Sequence, residues 1–274
     1  MILKHDQWKY IALDIDGTLL TDDKQIDPVT REALYRIQDR GHILLLVSGR
    51  AVHSLKGFIP ELRLDQFPSY LIGVNGGSIY DCRADQLLVN ECLDPRLVEE
   101  YFTAWPLGKL SRAAYSDHRL ITDTPDRDDV HYLRTINAME VVATDSLRRP
   151  MEGVNKMMIA GFNENIVPHI DRIRAQFENR LYMTFSTPTY FEAMPFGIDK
   201  GVGLENFCRI SGASLEEILA FGDGENDAPM LTKAGLGVAM GNASELTKAA
   251  ADLATVTNNE AGIARFLQEY GFLD

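Results

Sequence analysis

Two short acidic stretches carry the residue types best suited to chemistry. Asp14-Ile15-Asp16-Gly17-Thr18-Leu19 follows directly on the apolar run Tyr10–Leu13, and Gly222-Asp223-Gly224-Glu225-Asn226-Asp227 follows directly on Ile218–Phe221. Each run reads as a strand, and each stops at or beside a carboxylate. Open α/β sheets bind ligands just outside the carboxyl ends of their strands, so acids placed there can face a ligand. Taken alone, either stretch also reads as an Asx turn or a solvated acidic loop. In one parallel sheet, however, both would project from the same edge and gather Asp14, Asp16, Asp223 and Asp227. Carboxylates so placed repel unless a cation lies between them or some hold protons. A few hard oxygen ligands, with room for water and a phosphate, suit Mg2+. No His or Cys accompanies them, which argues against zinc.

Two further segments supply what an anion needs. Val47-Ser48-Gly49-Arg50 ends the apolar run His42–Val47 and brings the Ser48 hydroxyl and the backbone N–H groups around Gly49 to a helix start. Phe196-Gly197-Ile198-Asp199-Lys200-Gly201 sets Lys200 in the first turn of another helix. Positive charge there opposes the helix dipole, so the lysine has a purpose other than helix stability. Gly153-Val154-Asn155-Lys156 shows a similar local pattern, but Lys156 runs into the strand-like Met157–Ala160. Lys200 is therefore the expected site lysine. Gly235-x-Gly237-x-x-x-Gly241 imitates a dinucleotide fingerprint, yet its glycines bracket a strand instead of separating strand from helix.

The elements that must hold these residues alternate between strand and helix. Asp27-Pro28 reads as an N-cap followed by proline at the first helical position, with Ala33, Leu34 and Ile37 at helical spacing and a stop at Gly41. A helix-like stretch at Ala51–Phe58 and a strand at Tyr70–Val74 follow. Gly201–Ile210, Ala228–Lys233 and Ala261–Tyr270 read as helices, and Leu236–Met240 as a strand. Continuous apolar strands alternating with helices predict a parallel sheet covered on both faces. The middle differs. An amphipathic helix begins at Asp94-Pro95, and Ile166, Ile170, Ile173 and Phe177 mark another. Arg119–Thr122, Met139–Ala143, Lys156–Gly161 and Leu181–Ser186 read as strands, which together suggest an inserted α+β unit.

Composition excludes some partners. The 274 residues carry a net charge of −13, from 27 basic against 40 acidic side chains, which disfavours a nucleic-acid or anionic-membrane partner. No run approaches the ~20 apolar residues that span a bilayer. Met1–Lys9 does not resemble a secretory signal, and Cys82, Cys92 and Cys208 lack C-x-x-C spacing. Reduced thiols in a cytoplasmic protein are expected. Oligomeric state is not legible.

In their order along the chain, Asp14-x-Asp16-Gly-Thr-Leu, Ser48, Lys200 and Gly-Asp223-x-x-Asn226-Asp227 resemble the four motifs of the haloacid dehalogenase-like hydrolase superfamily. Val74-Asn75-Gly76-Gly77 and Gly237-Val238-Ala239-Met240-Gly241-Asn242-Ala243 resemble its Cof-type sugar-phosphate phosphatase branch. Ser48 stands where many relatives carry threonine. The resemblance implies an α/β fold: a Rossmann-like parallel-sheet core domain of residues 1–85 and 189–274, with a smaller α+β cap domain of residues 86–188 inserted. It implies a Mg2+-dependent phosphatase acting on a small phosphorylated metabolite through an aspartyl phosphate. Asp14 would be the nucleophile and Asp16 the general acid and base. Mg2+ would be held by the Asp14 carboxylate, the Asp16 backbone carbonyl and Asp223, with Asp227 in support. Ser48, Gly49, Lys200 and Asn226 would hold the phosphate. A phosphotransferase or mutase using the same intermediate, or a non-enzymatic phospho-acceptor module, are the rival expectations.

Overall fold

The structure is a computed structural model that describes residues 7–273. By internal contacts it divides into two units: Met1–Gly49, Leu55–Val89 and Asp199–Asp274 form one, and Arg50–Ser54 with Asn90–Ile198 the other.

The first unit is built on strands that are buried along their length. Tyr10–Leu13 and Ile218–Gly222 are buried at every position, so both faces of their sheet are covered. The eight strands lie in the order Leu253–Ala254, Leu236–Ala239, Ile218–Gly222, Tyr10–Leu13, Ile43–Val47, Ser69–Gly73, Ser78–Asp81, Gln86–Asn90. The first six run parallel, as the continuous apolar runs predict. Ser78–Asp81 turns back antiparallel to Ser69–Gly73, so the sheet is not parallel throughout. Helix Lys200–Ser211 lays Leu204 and Phe207 against Ala12, Leu45, Val47, Ile72 and Ala220 on one face. On the other, helix Gly262–Glu269 sets Phe266 edge-on to Phe221 at 5.2 Å.

Register decides where the loops emerge. Leu13 lies opposite both Phe221 and Leu46, and Val47 opposite Ile72, so four neighbouring strands end at one level. Chain order reverses between Tyr10–Leu13 and Ile218–Gly222. That switch point is where loops on either side diverge and leave a crevice.

The second unit carries six strands in the order Leu181–Thr187, Tyr190–Pro195, Lys156–Ala160, Ser111–Ser116, Arg119–Thr122, Glu140–Ala143. All neighbours are antiparallel except the last pair. Helices Pro95–Ala104 and Asn163–Phe177 cover one face, packing Val98, Tyr101, Phe102, Ile166 and Phe177 with Met157, Ile159 and Phe191. Asp94 caps the first of these helices by accepting from the Arg96 and Leu97 N–H groups.

This division differs from the expected bounds of 86 and 188 at both ends. Gln86–Asn90 adds an edge strand to the first sheet, so the second unit begins at Asn90. Tyr190–Pro195 pairs with both Leu181–Thr187 and Lys156–Ala160, which carries the second unit on to Ile198.

Candidate active site

Three of the four motif segments, those of Asp14, Ser48 and Asp223, stand at the ends of neighbouring strands in the first unit, and the fourth, that of Lys200, opens a helix of the same unit. The Asp14 N–H extends the sheet by donating to the Phe221 carbonyl at 3.1 Å, which locks the first acidic loop to the second. Gly17 then turns with φ +88°, and the Asp223 carboxylate lies where a Cβ would project. Any other residue there would meet both a strained backbone and a carboxylate. The Thr18 hydroxyl donates to Asp223 Oδ1 at 2.7 Å and fixes that side chain from the opposite loop.

At the centre lies Lys200, with 1% of its surface exposed. Its Nζ stands 2.5 Å from Asp14 Oδ1 and 2.5 Å from Asp227 Oδ1. The helix that presents it is capped by Asp199, whose carboxylate accepts from the Val202 N–H at 2.7 Å. Asp199 therefore serves the helix, and Lys200 can turn its charge to the site. Asp227 is engaged on both oxygens: Oδ1 takes Lys200, and Oδ2 accepts from the N–H groups of Asp223 and Gly224, each at 2.9 Å. It holds the Asp223 loop and the lysine in place.

Electrostatics follow from the count of charges. Asp14, Asp223 and Asp227 offer oxygens within 4.8 Å of one another and face one ammonium group. Burial, with Asp227 close by, pushes Asp14 up to about 8 against the pull of Lys200. Burial likewise raises Asp223 to about 6, although Thr18 opposes it. Burial alone would lower Lys200, but Asp14 and Asp227 outweigh it and hold the amine above the ordinary lysine range. Three acids and one lysine leave a surplus of negative charge that a hard divalent cation would relieve. The donors are all oxygens, so the residues present fit such an ion.

Asp16 does not join this cluster through its side chain. Its Oδ1 lies 3.1 Å from Lys24 Nζ, and both side chains are substantially exposed. The expected gathering of four carboxylates is thus a gathering of three. The reason is local: the strand ends at Leu13 and the chain is already turning by Ile15–Gly17, so the alternation that would set Asp14 and Asp16 on one side no longer holds.

Ser48, buried at 3% exposure, ends its strand by donating its N–H to the Ile72 carbonyl at 2.9 Å. Its own carbonyl accepts from the Asn75 N–H at 3.0 Å. Asn226 is half-buried in a single 3-10 turn, and its Nδ2 donates to Asn75 Oδ1 at 3.1 Å. Asn75, Thr18 and Asn242 are site neighbours to which sequence reasoning gave no role. Asn242 Nδ2 donates to the Gly17 carbonyl at 2.8 Å, while its Oδ1 accepts from the Asn258 N–H. All three sit inside quoted motifs, so the motifs themselves were the available signal.

Comparison with known proteins agrees with this geometry. Residues 11–267 match the model of a family described as haloacid dehalogenase-like hydrolases. The 5-amino-6-(5-phospho-D-ribitylamino)uracil phosphatase of Bacillus subtilis is 29% identical, over 95% of this chain and 96% of its own. The pyridoxal phosphate phosphatase of Escherichia coli is also 29% identical, over 96% and 98%. A haloacid dehalogenase-like hydrolase from Bacteroides thetaiotaomicron, known by crystal structure, is 32% identical with a TM-score of 0.89, covering 96% of this chain and 99% of its own. Among the described residues, no helix is long and apolar enough to cross a membrane.

Proposed function

This chain belongs to the haloacid dehalogenase-like hydrolases, in their Cof-type branch, as a phosphoric monoester hydrolase, and we propose that it releases phosphate from a small metabolite through a phosphoryl group carried on Asp14. The observation that carries this reading is the buried Asp14 carboxylate held at one oxygen by Lys200 beside two further acids. A carboxylate so oriented is positioned for attack, while its high proton affinity without a cation explains why a metal is needed.

Asp14 attacks phosphorus in line, and the bond from phosphorus to the ester oxygen breaks. Asp16, as the acid, gives its proton to that departing oxygen. The Asp16 carboxylate then takes a proton from water as the water oxygen attacks phosphorus. The bond from phosphorus to Asp14 breaks, and the free carboxylate returns. For Asp16 to work in this way, its exposed pair with Lys24 must open; such pairs are worth only about 0–1 kcal/mol. Ser48, Gly49, Asn226 and Lys200 hold the phosphate oxygens and meet the charge that spreads over them. The Asp14 carboxylate, the Asp16 carbonyl and Asp223 would hold Mg2+, which would supply the positive charge that offsets repulsion between carboxylate and phosphate. Asp227 braces this arrangement through Lys200 and the N–H groups of Asp223 and Gly224.

The second unit acts in this reading as the cap that selects the leaving group. Two relatives are named for phosphorylated compounds that carry a nitrogen heterocycle, so such compounds join sugar phosphates in the first panel to assay. Phosphate release with Mg2+ and its loss in EDTA test the metal. Asp16→Asn should slow alkyl phosphates more than p-nitrophenyl phosphate, whose leaving group needs no proton. Full turnover in metal-free protein would sink the reading. Transfer of the phosphoryl group to an added sugar, in place of free phosphate, would establish a phosphotransferase.

A further inference from the structure

Val74, Asn75 and Gly76 run through three successive positive φ angles, 52°, 50° and 101°. Such a backbone is uncommon for asparagine and a true outlier for a β-branched valine. Strain of this kind persists where the surroundings impose it, and it clusters at functional sites. Here the surroundings are identifiable.

The Asn75 N–H donates to the Ser48 carbonyl at 3.0 Å, and the Asn75 carboxamide covers Gly49, 3.2 Å from where a Cβ would stand. Its Oδ1 accepts from Asn226 Nδ2 at 3.1 Å. Gly76 lies against the Asp199 carbonyl and Gly203, at the start of the helix that presents Lys200. A side chain at Gly76 would meet that backbone. One left-handed turn therefore touches all three segments that are assigned to phosphate: Ser48-Gly49, Lys200 and Asn226.

We infer that Asn75 is a positioning residue for phosphate binding: its backbone holds the Ser48-Gly49 turn, and its side chain acts through Asn226. The inference rests on the proposed function and goes beyond it by giving the Val74–Gly77 motif a task. The chemistry lies in the hand of an amide. A carboxamide can face a phosphate with its N–H or its carbonyl, and only the N–H attracts an anion. Asn226 sits on a single 3-10 turn, which does little to orient its side chain. With Asn75 Oδ1 as its neighbour, the flipped Asn226 would set oxygen against oxygen. The bond thus fixes the nitrogen on one side. The buried Asn75, 3% exposed, is itself held by the turn. The left-handed backbone aims the side chain at both neighbours at once.

Asn75→Gly removes the carboxamide and keeps the backbone conformation without strain. With Mg2+ and p-nitrophenyl phosphate, kcat/KM should fall about 10- to 100-fold, as when an orienting partner of a ligand-holding residue is removed. The inhibition constant of inorganic phosphate should rise by a comparable factor. The Asn75→Gly/Asn226→Ala double variant should be no worse than Asn226→Ala alone, because the two act as a unit. A change under about twofold in Asn75→Gly, or losses that multiply in the double variant, overturns the inference. If Asn75→Gly fails to fold, Asn75→Asp replaces it, since aspartate matches its size and tolerates the left-handed region. Its added charge should raise the inhibition constant of phosphate at least about tenfold, and an unchanged constant overturns the inference. An active wild type with an indifferent Asn75 defeats this inference alone. A wild type that neither hydrolyses esters nor binds inorganic phosphate defeats the proposed function with it.

Discussion

Lys200 and Lys156 are both almost wholly buried, at 1% and 4% exposure, and both meet carboxylates. Lys200 stands between Asp14 and Asp227 with Asp223 nearby, so negative charge exceeds positive. Lys156 pairs with Glu192 at 3.3 Å and lies over the Tyr115 ring at 4.6 Å. Glu192 answers the lysine there, and the aromatic face lies over its ammonium. Burial of a lysine therefore does not by itself mark a site. What marks the first cluster is the charge left over, which a bound cation and a phosphate would bring into balance. A closed pair such as Lys156–Glu192 is the arrangement that a fold tolerates for its own sake.

The largest expected effect lies at the first cluster. Asp14→Asn should abolish both turnover and covalent labelling by a phosphorylated substrate, since an amide is not a nucleophile at phosphorus. A stable phosphoenzyme in this variant would move the nucleophile elsewhere. Lys200→Ala should follow, losing about 10²-fold or more in kcat, the scale for removing a transition-state donor. It would sharpen the comparison further if the loss grew on raising the pH, where the acids around the cavity are fully ionised.

A pH series tests the surplus charge without any mutation. Asp14, at about 8, and Asp223, at about 6, stand above their ordinary 3.8. Native metal-free protein thus holds protons that the unfolded chain has released above about pH 4. Stability should be greatest at the acid end of this window and fall as pH rises toward about 8, by up to ~1.4 kcal/mol per pH unit for each retained proton. Saturating Mg2+ displaces those protons, so the slope should flatten or reverse. Melting temperatures from pH 5 to 8, with EDTA and with Mg2+, would show it. Parallel curves would mean that the acids are not the cation site.

The two units also differ in how far their sequence exposed them. In the first, Leu13 to Asp14 and Phe221 to Asp223 are abrupt steps from buried strand to acid, which sequence shows directly. Lys200 was legible because a lysine in a first helical turn opposes the dipole. The role of Asn75 was not, because it depends on a left-handed turn and on Asn226, 151 residues away. The side-chain direction of Asp16 was also hidden, being set by the turn that follows the strand. In the second unit, Ser111–Ser116 is a fully buried strand made largely of small residues, and no apolar run betrays it. Helix Asp128–Asn137 has Arg127 at its N-cap with no side-chain cap, so only the acids Asp128 and Asp129 in its first turn mark its start. Tyr190–Pro195 ends in proline beside a turn, which reads as a boundary until its two sheet neighbours are known.

The smallest effect on catalysis is expected at the second lysine, and it completes the comparison. Lys156→Met leaves Glu192 buried and without its ion-pair partner, and breaking such a pair costs about 3–5 kcal/mol. Replacing both members by Lys156→Met and Glu192→Leu removes the stranded charge and should recover most of that loss. Denaturant midpoints for the two singles and the double give the coupling directly. Under conditions where each variant is folded, kcat for p-nitrophenyl phosphate should stay within about threefold of wild type, against the ~10²-fold expected at Lys200. An unstable single rescued by the double, with kcat intact, would make Lys156–Glu192 a structural pair. A rate loss at Lys156 that the double variant does not restore, in protein of normal stability, would place this lysine on the substrate and end the distinction between the two clusters.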